Sequence, residues 1–148
     1  MAEFALRSEA FRHGGGIPRR HTCDGADVSP ALSWSDPPPE ARALALIVDD
    51  PDAPAGTFTH WLAWNIDPQA GGIGEGESAP VEGHNDFGRR GWGGPCPPPG
   101  HGAHRYFFRL HALDAELDVS SRAGRRELES ALSGHVVTTA ELMGTYER

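Results

Sequence analysis

The chain has 148 residues and a formal net charge of -8, with 13 Lys and Arg against 21 Asp and Glu. This length predicts a single domain over residues 1–148 with one hydrophobic core. The acidic balance disfavours nucleic acids and anionic membrane surfaces as partners, because both require clustered Lys and Arg. It does not exclude a small anionic ligand, because the local field of one pocket can oppose the net charge.

Two further observations bear on the cellular location. No stretch approaches the roughly 20 apolar residues of a membrane helix, and residues 1–12 lack the apolar block of a signal peptide. We therefore expect a cytoplasmic protein without integral membrane association. The only cysteines are Cys23 and Cys96, and a disulfide between them is not expected in a reducing cytoplasm. The alternative is that both lie beside a pocket, as reactive thiols or a redox pair.

Many short strands are predicted in the first half of the chain. The 19 Gly and 13 Pro favour strands joined by turns over a helical bundle. Residues 4–11 are a weak strand candidate, and residues 31–34 read as a short strand. Residues 43–48, Ala-Leu-Ala-Leu-Ile-Val, form an apolar run that is typical of a strand buried on both faces. We expect that strand at the centre of a sheet.

The next predicted strand covers residues 58–66, where period-two alternation defines two faces. The first face carries Phe58, His60, Leu62, Trp64 and Ile66. The second face carries Thr59, Trp61, Ala63 and Asn65. His60 is therefore expected among apolar neighbours.

The second half of the chain begins with a long connection. Residues 68–102 contain eleven Gly and six Pro, and Phe87 and Trp92 are predicted to anchor this loop against the body. A strand follows at residues 104–113, where period-two alternation places His104, Tyr106, Phe108 and Leu110 on one face. A helix is predicted at residues 125–133, ended by Gly134, and residues 136–146 are another weak strand candidate.

The acidic segment 49–54, Asp-Asp-Pro-Asp-Ala-Pro, directly follows the buried strand. Pro51 and Pro54 fix their own φ angles and push the residues before them toward extended conformations, which predicts a rigid turn. Asp50 and Asp52 either satisfy backbone amides of that turn or belong to a pre-organised site. The sequence leaves both interpretations open.

Two histidines near strand starts suggest where such a site would lie. Taken singly, His60 and His104 are best explained as core or edge residues. Together with Asp50, Asp52 and Tyr106 they are predicted to meet at one edge of the sheet. A carboxylate beside an imidazole favours the cationic ring, which attracts an anion, and a tyrosine hydroxyl can donate to the same ligand.

Four segments carry a specific pattern. They are residues 50–54 (Asp-Pro-Asp-Ala-Pro), 60–65 (His-Trp-Leu-Ala-Trp-Asn), 91–98 (Gly-Trp-Gly-Gly-Pro-Cys-Pro-Pro) and 104–106 (His-Arg-Tyr). In order and spacing this pattern resembles the phosphatidylethanolamine-binding proteins, also called Raf kinase inhibitor proteins. Residues 23–25, 29–34 and 141–146 are also similar, and the closest similarity is to the shorter bacterial and archaeal branch. The resemblance covers nearly the whole chain.

This resemblance implies an all-β fold, a sandwich of two antiparallel sheets with a Greek-key element and one or two short accessory helices. It also implies a pocket at one end that accepts phosphate-like groups, including the phosphoethanolamine head. The matching pocket residues are Asp50, Asp52, His60, Pro97, His104 and Tyr106. The chain departs from the family in lacking the C-terminal helical extension of eukaryotic members, and in having Trp92 where many relatives have tyrosine.

The predicted function is binding of a small phosphorylated or carboxylated ligand, with regulation of a kinase or protease partner, protease inhibition and a homodimer as further implications of the resemblance. An alternative is a hydrolase-type enzyme in which His60 or His104 acts as general acid or base, oriented by Asp50 or Asp52. A metal site built from those four residues is a third hypothesis. No nucleophile, phosphate-loop or metal motif is present, so no cofactor and no catalytic residue are predicted.

Overall fold

The computed structural model describes residues 3–148 and contains eight strands in that range. In chain order they are β1 (Ala5–Arg7), β2 (Leu32–Ser35), β3 (Ala43–Asp50), β4 (Phe58–Ile66), β5 (Gly72–Ile73), β6 (Val81–Glu82), β7 (His104–Leu113) and β8 (Val136–Tyr146). They form two antiparallel sheets, one of order β1-β2-β5 and one of order β6-β4-β3-β7-β8. The predicted mainly β fold with two antiparallel sheets is confirmed.

The apolar run of residues 43–48 lies at the centre of the larger sheet, as predicted. All eight residues of β3 are buried, and β3 pairs with β4 on one side and β7 on the other. The strand also continues through Asp49 and Asp50, so it carries two carboxylates to the end of a fully buried element. Their positions determine where the candidate site forms.

Two clusters of apolar side chains make up the core. The first lies between the two sheets and joins residues of the smaller sheet, such as Leu6 and Trp34, to Val48 and Phe108 of the larger one. The second lies on the outer face of the larger sheet. β3 contributes Ala45 and Ile47 to it. Because a β-strand alternates its side chains, β3 supplies residues to both clusters.

The helix α1 (Arg125–Leu132) covers the outer cluster and ends one residue earlier than predicted. Leu128 and Leu132 are its buried residues, whereas Ala131 is only partly buried. Two short 3-10 helices, Arg19–His21 and Pro68–Ala70, complete the helical content of the described residues. None of the helices in residues 3–148 is long and apolar enough to cross a membrane.

The predicted faces of β4 are partly wrong because the strand is irregular at two points. Val48 pairs with Trp61 but Asp49 pairs with Thr59, so His60 is the extra residue of a bulge. The alternation therefore shifts by one position after His60. Trp61 and Ala63 join the cluster between the sheets, while Leu62 and Trp64 join the cluster under α1.

A second irregularity near Asn65 restores the predicted position of Ile66. Asn65 has a φ of 54°, and its side chain accepts from the Leu117 amide and donates to the Leu117 carbonyl. Ile66 consequently lies in the cluster between the sheets. The bulge at His60 has the more important effect, because it leaves His60 on the same side as Phe58 and Tyr106.

The expectation that Cys23 and Cys96 form no disulfide is wrong. The two residues are bonded to each other, with their Cα atoms 5.4 Å apart and 73 positions apart in the chain. The argument from a reducing compartment could not detect this, because it takes no account of which segments the fold brings together. The alternative interpretation, that both cysteines lie together beside a pocket, describes their placement correctly.

Candidate ligand-binding cavity

A cavity of about 190 Å³ opens where three strands of the larger sheet meet at one end. In an antiparallel sheet the end of β3 lies beside the starts of β4 and β7, since Asp50 pairs with Phe58 and Asp49 with Phe107. The polar residues that line the cavity come from these three strands: Asp50, His60, His104 and Tyr106. The rest of the lining is apolar or sulfur-containing: Ala53, Pro54, Phe58, Phe87, Cys96, Pro97 and Pro98.

Five of the six predicted site residues therefore line one cavity. Asp52 does not. No Lys or Arg is among the lining residues, so any positive charge on the wall has to come from a histidine ring. Arg89 is not a lining residue, and its Nη2 lies 3.5 Å from Asp27 Oδ2.

A chain of hydrogen bonds runs from the buried end of β3 toward the surface. Asp50 accepts from the backbone amide of Asp52 at 2.7 Å through Oδ1 and from His104 Nδ1 at 2.6 Å through Oδ2. The other ring nitrogen of His104, Nε2, lies 2.5 Å from Nδ1 of His101. Asp50 and His104 are almost fully buried, whereas His101 is exposed. The three side chains thus connect the cavity wall to solvent.

The contact of His101 with His104 is not predicted from the sequence, because His101 lies in the long glycine-rich connection of residues 68–102. The residue lies between Gly100 and Gly102, whose φ angles of 77° and 90° are in the left-handed region that glycine favours. This tight turn folds the His101 ring back onto His104. The separation of three positions between two histidines beside glycines was the only signal available.

His60 contributes the second imidazole of the cavity. Its Nδ1 donates to the backbone carbonyl of Gly93 at 2.6 Å, which leaves Nε2 as the nitrogen available to a ligand. Burial lowers the pKa of His60 below its ordinary value, although the Gly93 hydrogen bond and the Asp50 charge oppose that shift. The ring is therefore neutral near neutral pH, and a proton on Nε2 requires a stabilising partner.

Tyr106 has a buried hydroxyl with no hydrogen-bond partner among the described residues. The side chain is 1% exposed and its ring packs edge-on against His60, with centroids 5.2 Å apart. Burial, and after it the nearby Asp50 charge, raise the pKa of this phenol well above its ordinary value. It is therefore a persistent O–H donor, and an unsatisfied buried donor is costly unless a ligand accepts from it.

Asp52 has a different role from the one predicted. Its carboxylate accepts from the backbone amide and Nε of Arg105 at Oδ2, both at 2.9 Å, and from Nη2 at Oδ1, at 2.8 Å. Arg105 is thus paired with an acid. The two residues tie the turn after β3 to the start of β7. Asp52 fixes the geometry of Asp50 and His104 and does not line the cavity.

The Asp52–Arg105 pair predicts a specific dependence of stability on acid. The hydrogen bonds from Arg105 lower the pKa of Asp52 from 3.8 to about 2, so the pair stabilises the fold above the unfolded pKa and loses this effect as pH falls through about 2. Because both side chains contact solvent, we expect a contribution of about 1 kcal/mol or less. Urea unfolding of wild type and Asp52→Asn should differ by this amount near pH 5 and converge near pH 2. A constant difference would contradict the assignment.

Asp49 lies on the opposite face of the sheet and does not belong to the cavity. It accepts from Arg125 Nη1 at 2.6 Å and lies 3.6 Å from Arg109 Nη1. The carboxylate is 3% exposed, so these two guanidinium groups compensate its burial. Of the three acids in residues 49–54, only Asp50 faces the cavity.

One wall of the cavity comes from the segment 95–99, Pro-Cys-Pro-Pro-Pro, whose residues 96–98 line it; we call this segment the proline-rich wall. Pro97, the predicted rim residue, is buried and lines the cavity together with Cys96 and Pro98. Cys96 is the half of the disulfide that contacts the cavity. The disulfide therefore joins the cavity wall to the loop that contains Cys23.

A two-sheet sandwich with a small cavity at the end of its central strands defines a class of small-ligand-binding folds. The family model for phosphatidylethanolamine-binding protein matches residues 7–147, and the chain belongs to that family.

Similar proteins cover almost all of the chain. The UPF0098 protein of Methanothermobacter thermautotrophicus is 47% identical over 150 residues, which are 97% of this chain and 98% of that protein. A crystal structure of a phosphatidylethanolamine-binding protein homologue from Chlamydia trachomatis has a TM-score of 0.93 at 42% identity, covering 98% of this chain and 97% of the other. YbcL of Escherichia coli also has a TM-score of 0.93, at 31% identity and 99% coverage of both chains. The resemblance seen in the sequence is confirmed.

Proposed function

We propose that the cavity binds a small anion, such as inorganic phosphate or the phosphoryl or carboxylate group of a small molecule. The observation that carries this proposal is the buried Tyr106 hydroxyl, which has no partner among the described residues and shares the cavity with His60 and His104. An anionic oxygen would accept the unsatisfied hydrogen bond. The family name, phosphatidylethanolamine-binding protein, supports a phosphorylated group in particular.

Anion binding requires a proton on Nε2 of His60, which burial of the ring disfavours. Since Nδ1 of His60 already donates to Gly93, the ring can donate to a ligand only when Nε2 is also protonated. Burial lowers the pKa of His60, and an anion near Nε2 would raise it again. The ligand and the proton therefore bind together, and affinity increases as the pH falls.

The Asp50–His104 pair supports the same ligand. The Asp50 carboxylate accepts from His104 Nδ1 at 2.6 Å and so holds a proton on that nitrogen, in a lining that has no Lys or Arg among the described residues. The apolar remainder of the lining limits the space to a small group and excludes water from it. This arrangement suits one small anion that accepts hydrogen bonds from the cavity. It differs from a general basic surface, which attracts many anions by charge alone.

Tyr106→Phe tests the proposal because its two expected effects have opposite signs. Loss of the hydroxyl should weaken phosphate binding by about threefold to tenfold, the value of one neutral hydrogen bond. The free energy of unfolding without ligand should stay the same or increase, because an unsatisfied buried group is removed. Isothermal titration with inorganic phosphate near pH 6 and urea unfolding measure the two effects. Absence of phosphate binding by wild type would overturn the proposal.

The other functions predicted from the sequence have weaker support. For a hydrolase with a covalent hydroxyl nucleophile, the lining offers only the Tyr106 hydroxyl, and its raised pKa means that the phenolate is scarcely formed. In residues 3–148 no three His, Cys, Asp or Glu side chains are grouped as a metal site requires. A kinase or protease target, a homodimer and a cytoplasmic location stay predictions from the resemblance and the sequence.

A further inference from the structure

We propose that the Cys23–Cys96 disulfide is a site of reversible thiol–disulfide exchange with a dithiol, and that its reduction releases the proline-rich wall of the cavity. The exchange is independent of the proposed function, whereas its effect on affinity rests on that function. Three features of the structure support the proposal: the exposure of the bond, the weak attachment of the wall, and the firm attachment of the segments around it.

Exposure makes the bond accessible to a reductant. Cys23 and Cys96 are both exposed residues, although they join two distant parts of the chain. Disulfides that stabilise a core are usually buried, whereas exposed ones are more readily attacked by thiolates. A dithiol can therefore reach this bond without unfolding the protein.

The backbone of the proline-rich wall makes few hydrogen bonds to the rest of the protein. Four of its five residues are prolines, which lack an N–H group. Its carbonyls accept from the Cys23 amide, at 3.1 Å to Pro95, from the His101 amide, at 3.1 Å to Pro98, and from Arg148 Nη1, at 3.5 Å to Pro97. Arg148 Nη1 also lies 3.5 Å from the sulfur of Cys96. The disulfide is consequently the strongest attachment of this segment.

The residues on both sides of the wall are held by other contacts. Before it, the Gly94 amide donates to Asp27 Oδ1 at 2.9 Å. After it, the Gly100 amide donates to the Arg148 carbonyl at 3.0 Å. On the Cys23 side, the Gly25 amide donates to the Thr22 carbonyl at 3.0 Å. Reduction should therefore loosen the wall selectively and leave its neighbours in place.

The exchange balances as a two-electron transfer. A thiolate of the dithiol attacks one sulfur of the bridge, which forms a mixed disulfide and releases the other cysteine as a thiolate. The second thiolate of the dithiol then breaks the mixed disulfide. The dithiol is oxidised to its own disulfide, and Cys23 and Cys96 each gain one electron and one proton. Because Cys96 lines the cavity, its free thiol is then at the ligand site.

The test combines thiol counting with amide hydrogen exchange on the folded protein. Thiol counting in denaturant should find no free thiol before treatment and two after millimolar dithiothreitol has acted on the native protein. Exchange of the Cys23 and His101 amides, which donate to the Pro95 and Pro98 carbonyls of the wall, should then become about tenfold faster, while peptides covering residues 61–66 are unchanged. In hydrogen exchange, Cys23→Ser should match the reduced wild type and show no response to dithiothreitol. Cys96→Ser, which leaves the thiol at position 23 instead, controls for the position of the remaining thiol.

Phosphate titration adds the functional readout. We expect the reduced protein and Cys23→Ser to bind inorganic phosphate about threefold or more weakly than the oxidised wild type, because the loosened wall must be ordered on binding. The proposal is overturned by two free thiols in the untreated protein, by a bond that resists dithiothreitol until the protein unfolds, or by unchanged exchange after reduction. If neither form binds phosphate, the proposed function fails and hydrogen exchange still decides the role of the bridge.

Discussion

Replacing His60 with asparagine should weaken phosphate binding by about tenfold to a hundredfold near pH 6, the range expected for a hydrogen bond to a charged group. The side-chain nitrogen of asparagine is the same number of bonds from the backbone as Nδ1 of histidine. It can therefore still donate to the Gly93 carbonyl that His60 contacts at 2.6 Å. No atom replaces Nε2. The variant therefore removes the ligand contact while keeping the contact that holds the loop.

His84→Asn is the matched control. The Nδ1 of His84 also contacts a backbone carbonyl, that of Arg122 at 3.2 Å, but the ring does not line the cavity. Its replacement should leave phosphate affinity unchanged. Equal losses in both variants, or no loss in His60→Asn, would show that the anion site lies elsewhere.

The pH dependence of stability gives a second signature of His60. Burial lowers its pKa in the folded state, while the unfolded residue titrates near about 6.5. As the pH falls through that value the unfolded chain binds the proton first, so the free energy of unfolding decreases. Wild type should lose this stability below about pH 6.5, and saturating phosphate should reduce the loss. His60→Asn should lose less than wild type, the remainder coming from His111, whose pKa burial also lowers. Urea unfolding across this range measures all three.

The strands that position the site could be predicted because their apolar patterns are strong. The fully apolar run before Asp49 indicated a central strand, and the alternation in residues 104–113 correctly placed His104 and Tyr106 on one face. The convergence of Asp50, His60 and His104 then follows from the antiparallel pairing of β3 with β4 and β7. These features depend on local sequence and on the sheet, so sequence alone reveals them.

What could not be predicted depends on side-chain pairing and on single irregular residues. The bulge at His60 reverses the faces of Leu62 and Trp64, because one inserted residue shifts a period-two pattern. Asp52 pairs with Arg105 and does not line the cavity. This pairing depends on the exact conformation of the turn after β3. The disulfide joins positions 73 residues apart, and nothing in either local sequence specifies that contact.

Asp50→Asn should change the proton on His104 and thereby weaken phosphate binding by about tenfold. In wild type both carboxylate oxygens accept, one from the Asp52 amide and one from His104 Nδ1. Asparagine keeps one oxygen for the amide and presents its NH₂ group to His104. That group can be accommodated only if Nδ1 becomes an acceptor, which requires a neutral ring protonated at Nε2.

This change of tautomer is directly measurable. Nitrogen-15 chemical shifts of His104 should show a protonated Nδ1 in wild type and an unprotonated Nδ1 in Asp50→Asn, while the free energy of unfolding falls by about 1 to 2 kcal/mol. Asp67→Asn is the control, because Asp67 does not line the cavity and accepts one backbone hydrogen bond, from Gln69 at 2.9 Å, which an amide oxygen can also accept. A protonated Nδ1 and full affinity in Asp50→Asn would contradict the role of Asp50. An unprotonated Nδ1 together with weaker phosphate binding in Asp50→Asn would support the role of Asp50 in holding the proton on His104 Nδ1, in a cavity whose lining offers an anion no lysine or arginine.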